Sequence, residues 1–151
     1  MRINVSDVLI GKEVSIPVDV EMELDFETIT DHVIESAELV KIKGRVYKAE
    51  DEILVDVTYS VNVDFSCDRC LKDVTKTIEG RITRDVLGGD NQDADDEAVQ
   101  ILIDHELDLL VIVKEDLLLN MPMQILCDPE CQGLCPVCGA DLNTDPCDCD
   151  N

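Results

Sequence analysis

Eight cysteines carry the chemistry this chain could do, and they fall into close pairs. Cys67 and Cys70 form a C-x2-C unit. Cys127-x3-Cys131, Cys135-x2-Cys138 and Cys147-x-Cys149 follow near the C-terminal end. Close spacing points two sulfurs into one small volume, which suits a tetrahedral metal, and two pairs complete a ligand set. The expectation is two sites of four thiolates each, holding zinc. Four thiolates leave no coordination position open, so the sites would be structural rather than catalytic. Cys135-Pro136-Val137-Cys138-Gly139 reads as a zinc knuckle, because Gly139 permits the tight turn that lets backbone N–H groups face the thiolates. Two partitions are open. The preferred one groups Cys67, Cys70, Cys127 and Cys131 as a clasp between distant parts of the chain, leaving Cys135, Cys138, Cys147 and Cys149 as a compact local site. The other pairs Cys67 and Cys70 with Cys135 and Cys138. Spacing alone does not decide, and one of Cys147 and Cys149 could be a spare thiol.

Other uses of cysteine fit less well. The opening Met1-Arg2-Ile3-Asn4-Val5-Ser6-Asp7 lacks the apolar stretch and cleavage site of an export signal. A reducing cytoplasm is the expected compartment, and disulfides are disfavoured there. A redox C-x-x-C usually opens a helix in a βαβ unit, whereas Cys67 follows a strand-like run. An iron–sulfur cluster also takes four cysteines and ranks behind zinc. Nothing points to an enzyme. His32 and His105 lie far apart among acids, and Asp104-His105-Glu106 lacks the second histidine of a metalloprotease motif. No P-loop, dinucleotide fingerprint or G-x-S-x-G occurs. No uninterrupted apolar run is long enough to cross a membrane as a helix.

The elements that must position the cysteines are mostly strands. Across 14–26, Val14, Ile16, Val18, Val20, Met22, Leu24 and Phe26 share one parity, the period of a half-buried strand or pair of strands. Pro17 lies in the polar phase and suits an edge. Residues 27–38 are less regular and allow a short helical turn near Thr28 or Thr30. Val40, Ile42, Gly44 and Val46 alternate with Lys41, Lys43 and Arg45. Residues 48–52 read as a hairpin loop. The strongest signal is Ile53, Val55, Val57, Tyr59, Val61, Val63 and Phe65, a run that ends at Cys67; thirteen extended residues reach roughly 43 Å. Val74, Ile78, Ile82 and Val86 share a parity and also a helical spacing of four. The threonines and the interior Gly80 favour a strand. Short loops between sequential runs predict an antiparallel meander. The acid-rich stretch of about 88–98 reads as a mobile loop, and 99–103 as a short strand. Residues 107–120 predict a helix, largely buried, with Leu107, Leu110, Val111, Leu117 and Leu118 on one face and Pro122 as its stop.

The 151 residues carry a net charge of −23, which argues against nucleic-acid binding by overall charge. Residues 85–151 hold one cation, Lys114, against 17 acids. The cations gather at Lys41, Lys43, Arg45 and Lys48 and again at Arg69, Lys72, Lys76, Arg81 and Arg84. They read either as solvated strand faces or as a local basic stripe that contacts phosphate.

Three segments resemble the YceD family, named for a protein linked to accumulation of large-subunit ribosomal RNA. Val63-Asp64-Phe65-Ser66-Cys67-Asp68-Arg69-Cys70-Leu71 is similar to its C-x-R-C-L segment. Asp116-Leu117-Leu118-Leu119-Asn120-Met121-Pro122 is similar to its helix-to-proline segment. The run from Cys131 to Asn143 resembles the C-x-G-L-C-x-x-C-G-x-x-L-N tail of Gram-positive-type members, with Asp141 where many members carry Asn. The resemblance implies a bacterial, intracellular protein needed for normal levels of 23S rRNA, whose genes tend to neighbour that of a large-subunit ribosomal protein.

These readings converge on an α+β chain: a twisted antiparallel sheet (meander or partial barrel), one main helix, and a cysteine-rich zinc-binding tail. The expected division is 1–125 for the α+β domain and 126–151 for a zinc-knuckle tail clasped to the Cys67/Cys70 hairpin. The expected function is non-enzymatic support of large-subunit assembly, by binding a basic ribosomal protein. Direct binding of a 23S rRNA precursor through Lys41, Lys43, Arg45, Arg69 and Lys72 is the alternative, and a metal-dependent RNA-processing enzyme is the third reading. Neither a membrane nor a small-molecule substrate is expected as a partner.

Overall fold

Period-two alternation dictates most of the architecture. The structure, a computed structural model, describes residues 1–26, 32, 34–50, 52–86, 102–103, 105–144 and 147–149. In chain order the elements are β1 (Arg2–Asn4), α1 (Ser6–Leu9), β2 (Ser15–Met22), β3 (Ile34–Ala37), β4 (Val40–Ala49), β5 (Glu52–Ser66), β6 (Asp73–Val86), β7 (Leu102–Ile103), β8 (Glu106–Asp108) and α2 (Leu109–Asn120). The fold is α+β and dominated by antiparallel sheet. β5 is the spine of the main sheet. β6 pairs along its whole length on one edge, while β4 and then β3 take the other. β2 pairs outside β4, with Pro17 opposite Arg45. β1, β8 and β7 form a second, small antiparallel sheet.

The same parity that marked the strands selects the core. Val55, Val57, Tyr59, Val61, Val63 and Phe65 of β5 are buried, as are Ile42 and Val46 of β4 and Ile78 and Ile82 of β6. The polar phases of the same strands form the outer face. Beyond the end of β2, Leu24 and Phe26 keep the phase and stay buried.

Several boundaries differ from the sequence reading. The hairpin loop expected at 48–52 is shorter, because β4 runs on to Ala49 and β5 starts at Glu52, with Glu50 turning at φ 56°. Ile34–Ala37 is a strand, paired to 63–65 of β5, not part of a helical turn. The turn proposed near Thr28 or Thr30 and the acidic loop at 88–98 lie outside the described residues. The short strand expected at 99–103 is described only at Leu102–Ile103.

The helix begins two residues later than its hydrophobic run. Leu107 is in β8, opposite Ile3, and Asp108 caps α2 by accepting the Leu110 N–H at 3.0 Å. The buried face is Leu109, Ile112, Val113 and Leu117. Leu118 and Leu119 point outward, 53% and 82% exposed. A helix apolar on several sides offers no single stripe, so contact with β6 and β1 made the choice.

A polar trio ties α2 to the sheet, beside the exposed Arg84–Glu115 ion pair at 2.8 Å. The Tyr59 hydroxyl donates to Asp116 Oδ2 at 2.8 Å, and Asn120 Nδ2 donates to both Tyr59 Oη (3.1 Å) and Asp116 Oδ2 (2.8 Å). The tyrosine crosses its cross-strand partner Gly80, where a Cβ would stand 2.5 Å from the phenol oxygen. Burial, then the Asp116 carboxylate, pushes the Tyr59 phenol above its ordinary value, so it stays a donor. Tyr59→Phe is expected to lower unfolding stability by about 1.5–3 kcal/mol, the cost of a lost hydrogen bond to a charged group. A urea midpoint at unchanged slope measures it; no shift would mean that the trio contributes nothing.

Candidate metal centre

The hairpin between β5 and β6 presents the first two cysteines. Cys67 N–H donates to Lys72 O at 2.8 Å and Leu71 N–H to Cys67 O at 3.0 Å, with Leu71 at φ 60°. This tight loop puts Cys67 and Cys70 side by side and buries both.

The chain after α2 is laid along this hairpin. Met121 is extended, as the residue before a proline must be. Asp68 then grips Ile125 twice: its N–H donates to Ile125 O at 2.8 Å, and its carboxylate accepts Ile125 N–H at 2.6 Å. The His32 ring bridges the same junction. Nε2 lies 2.9 Å from Pro122 O, and Nδ1 lies 3.4 Å from Asp68 Oδ1. Two residues past Ile125, Cys127 reaches the hairpin sulfurs.

The four sulfurs of Cys67, Cys70, Cys127 and Cys131 lie within 4.8 Å of one another, and so do those of Cys135, Cys138, Cys147 and Cys149. This is the first of the two partitions drawn from the sequence. Cys67 and Cys131 sulfurs are 3.9 Å apart and those of Cys70 and Cys127 3.4 Å. A tetrahedral ion with bonds of about 2.3 Å to sulfur has sulfur–sulfur edges of about 3.8 Å. The spacing therefore fits a four-thiolate metal site, and all four positions of such an ion would be filled. Three cysteines of the sheet-side cluster are buried and Cys127 is exposed. In the tail cluster Cys135 is buried, Cys138 exposed and the other two half-buried.

Backbone donors face the sulfurs. Cys127 N–H donates to Cys67 Sγ and Val137 N–H to Cys135 Sγ, both at 3.4 Å. Gly139 turns the knuckle at φ 74° and returns its N–H to Cys135 O at 2.8 Å. Burial opposes ionisation of Cys67, but the N–H groups of Arg69, Cys70 and Cys127 outweigh it and hold the thiol at about 6. The N–H groups of Cys138 and Val137 hold Cys135 at about 6 as well. Beside these, Cys127 is pushed up to about 12, chiefly by its contact with Cys70, and Cys149 to about 11, chiefly by Cys138. The backbone prepares Cys67 and Cys135 as thiolates, whereas Cys127 and Cys149 give up their protons when a cation enters. Among the described residues both clusters can hold a metal ion.

The basic residues separate into two groups. Lys41, Lys43 and Arg45 are exposed on the outer face of β4, where Lys43 pairs with Asp19 at 3.5 Å and Arg45 lies 4.8 Å over the Tyr47 ring. Arg69 and Lys72 are turned into the tail instead. Arg69 Nη1 donates to Cys131 O at 2.7 Å, and Lys72 Nζ meets Asp141 Oδ2 at 2.6 Å. Lys41 stands opposite Ser60, and six residues of strand, about 20 Å, separate Ser60 from the hairpin. The five do not form one continuous patch. Asp68 and Asn143, which the sequence reading did not single out for a role, hold the sites together. Both lie inside the motifs that carried the family resemblance, and that was their one available signal.

A family model described as "Large ribosomal RNA subunit accumulation protein YceD" matches residues 55–151, a span that contains all eight cysteines. The uncharacterized protein YlbN of Bacillus subtilis (strain 168) is 32% identical over 124 residues, 82% of this chain and 72% of that protein. Uncharacterized proteins Mb2951c of Mycobacterium bovis and Rv2926c of Mycobacterium tuberculosis (strain ATCC 25618 / H37Rv) are 27% identical over 116 residues. The match covers 75% of this chain and 56% of theirs, little more than half of the mycobacterial proteins. No solved structure matches the chain.

Proposed function

The chain belongs to the YceD family, and on that basis we propose that it supports accumulation of the large ribosomal subunit without catalysing a reaction, by binding a basic protein of that subunit. The family name ties it to large ribosomal RNA. The observation that carries the finer reading is the charge: −23 over 151 residues. Such a surface repels RNA phosphate and attracts a cationic partner, speeding encounter by about a hundredfold or more at low salt. The partner is masked until rRNA competes for it. Zinc is the proposed occupant of both cysteine clusters, since four soft thiolates in a closed tetrahedral set favour it over hard cations. Its role is to hold the tail against the hairpin, because no coordination position stays free for a substrate.

Affinity capture from cells at low salt, with protein mass spectrometry and RNA sequencing of one eluate, tests the reading. A basic large-subunit protein is expected, retained after nuclease treatment and lost at high salt. Retention that does not weaken with salt overturns the charge argument. A 23S precursor that is enriched, and lost when Lys41, Lys43 and Arg45 are charge-reversed, overturns the protein-binding reading in favour of direct RNA contact.

A further inference from the structure

The two cysteine clusters touch each other through one short loop. Asp141, Leu142 and Asn143 lie between Cys138 and Cys147, two ligands of the tail cluster, so an ion there pins both ends of the segment that carries them. Each of the three reaches out of that loop toward the other cluster. Asn143 Nδ2 stands 3.6 Å from Cys131 Sγ, and its Oδ1 accepts Gln132 N–H at 2.8 Å. Leu142 N–H donates to Gly133 O at 3.0 Å. Asp141 receives Lys72, two residues from Cys70, at 2.6 Å. On the other side, the Cys131–Cys135 segment is held by Arg69, whose carbonyl accepts Leu134 N–H at 3.1 Å.

We propose that the two sites load metal cooperatively, the tail site first, with Asn143 as the residue that transmits the effect. The proposal rests on the metal reading given above. The tail site draws its ligands from 135–149, so closing it orders one short segment. Once closed, it delivers the Asn143 amide to Cys131 already oriented. A thiolate that receives an N–H is stabilised at its site, and a ligand met by a prepared partner loses less freedom on binding. The tail ion therefore raises the affinity of the Cys67/Cys70/Cys127/Cys131 site, and by linkage the effect is mutual. Asn143 is a positioning residue here: it does not reach the ion, and it acts through the sulfur of Cys131.

The test uses the full chain with cobalt(II) as probe, followed by its sulfur-to-metal charge-transfer absorption in competition with a chelator. The unaltered chain is expected to take up two ions. With Cys138→Ser and Cys147→Ser together, the sheet-side cobalt is expected to bind at least tenfold more weakly. Asn143→Ala is expected to weaken the same site by about 10- to 100-fold, the usual effect of losing a partner that orients a ligand. It should also move the sheet-side charge-transfer band to longer wavelength, because the Cys131 sulfur loses its donor. A purely structural role would not move the band. Asn143→Asp keeps an oxygen for Gln132 N–H and removes the N–H donor, so it should repeat both effects even if the alanine variant folds poorly. Sheet-side affinity within twofold of the unaltered chain in all three variants, with the band unmoved, overturns the coupling and leaves the metal reading intact. A full chain that takes up no cobalt overturns the metal reading, and the coupling falls with it.

Discussion

Removing metal from the two cysteine clusters, zinc on the reading proposed above, is expected to unfold the tail from about residue 125 onward while the sheet persists. The tail has few large apolar residues, and Val137, one of them, is 66% exposed. Its described order comes from short turns around sulfur and from the contacts that Asp68, Arg69 and Lys72 of the hairpin make with Ile125, Cys131 and Asp141. Structural zinc contributes on the order of 10–16 kcal/mol to small domains of this kind, far more than those turns supply. Elemental analysis should find two zinc per chain, and a chelator should remove amide protection after residue 125 first. Acidification should act in the same direction, because thiolates regain protons as pH falls and release the ion. Ile125 is buried and held by Asp68, so it marks the boundary at which protection resumes. A tail that stays protected without metal, or a chain with less than one zinc and no iron, would contradict this.

Gly44→Ala is expected to be the most damaging single substitution in the sheet. Gly44 sits mid-strand in β4 at φ 155°, opposite Val18 on one side and Val57 on the other. A Cβ there would collide with Asp56 O and stand 2.6 Å from Val57 Cα. Both are backbone atoms of the neighbouring strand, so no side chain can swing away and the strands must part. Overpacking of that kind costs about 3 kcal/mol or more, a large share of the 5–15 kcal/mol that holds a domain folded. The variant, purified with its metal, should show a urea midpoint far below that of the unaltered chain, or fail to fold. A stability within about 0.5 kcal/mol of the original would mean that the strands yield there freely.

The sequence reading went furthest where one face of an element is buried and the other wet. In β5 every second residue from Ile53 to Phe65 is in the core, and period two has no other explanation at that length. It failed where both faces are apolar. Leu107 to Asn120 contains so many aliphatic residues that neither the start nor the buried face of α2 was legible: of the expected face only Leu117 is buried in the helix, Leu107 is buried in β8, Leu110 is half-buried, and Val111 and Leu118 are exposed. Gly80 was read as a mark of strand, but the reason for a glycine lies in Tyr59 on the neighbouring strand and in Asp116 beyond it.

The candidate site divides in the same way. Cysteine pairing into close units is a local property, because one to three intervening residues confine the sulfurs whatever the rest of the chain does. Net charge and the family motifs are likewise properties of the chain itself. Which pairs join was decided in three dimensions. The path from α2 past Pro122 and Ile125, held by Asp68 and His32, brings Cys127 to Cys70 across 57 positions of sequence. The fate of the basic residues was decided there too. Arg69 and Lys72 resemble Lys41 and Lys43 in a sequence, yet the tail folds over the first two and leaves the others on an open strand face. Spacing along the chain determines what can meet locally; only packing determines which distant groups are held together, because that choice depends on the summed contacts of many residues rather than on any one motif.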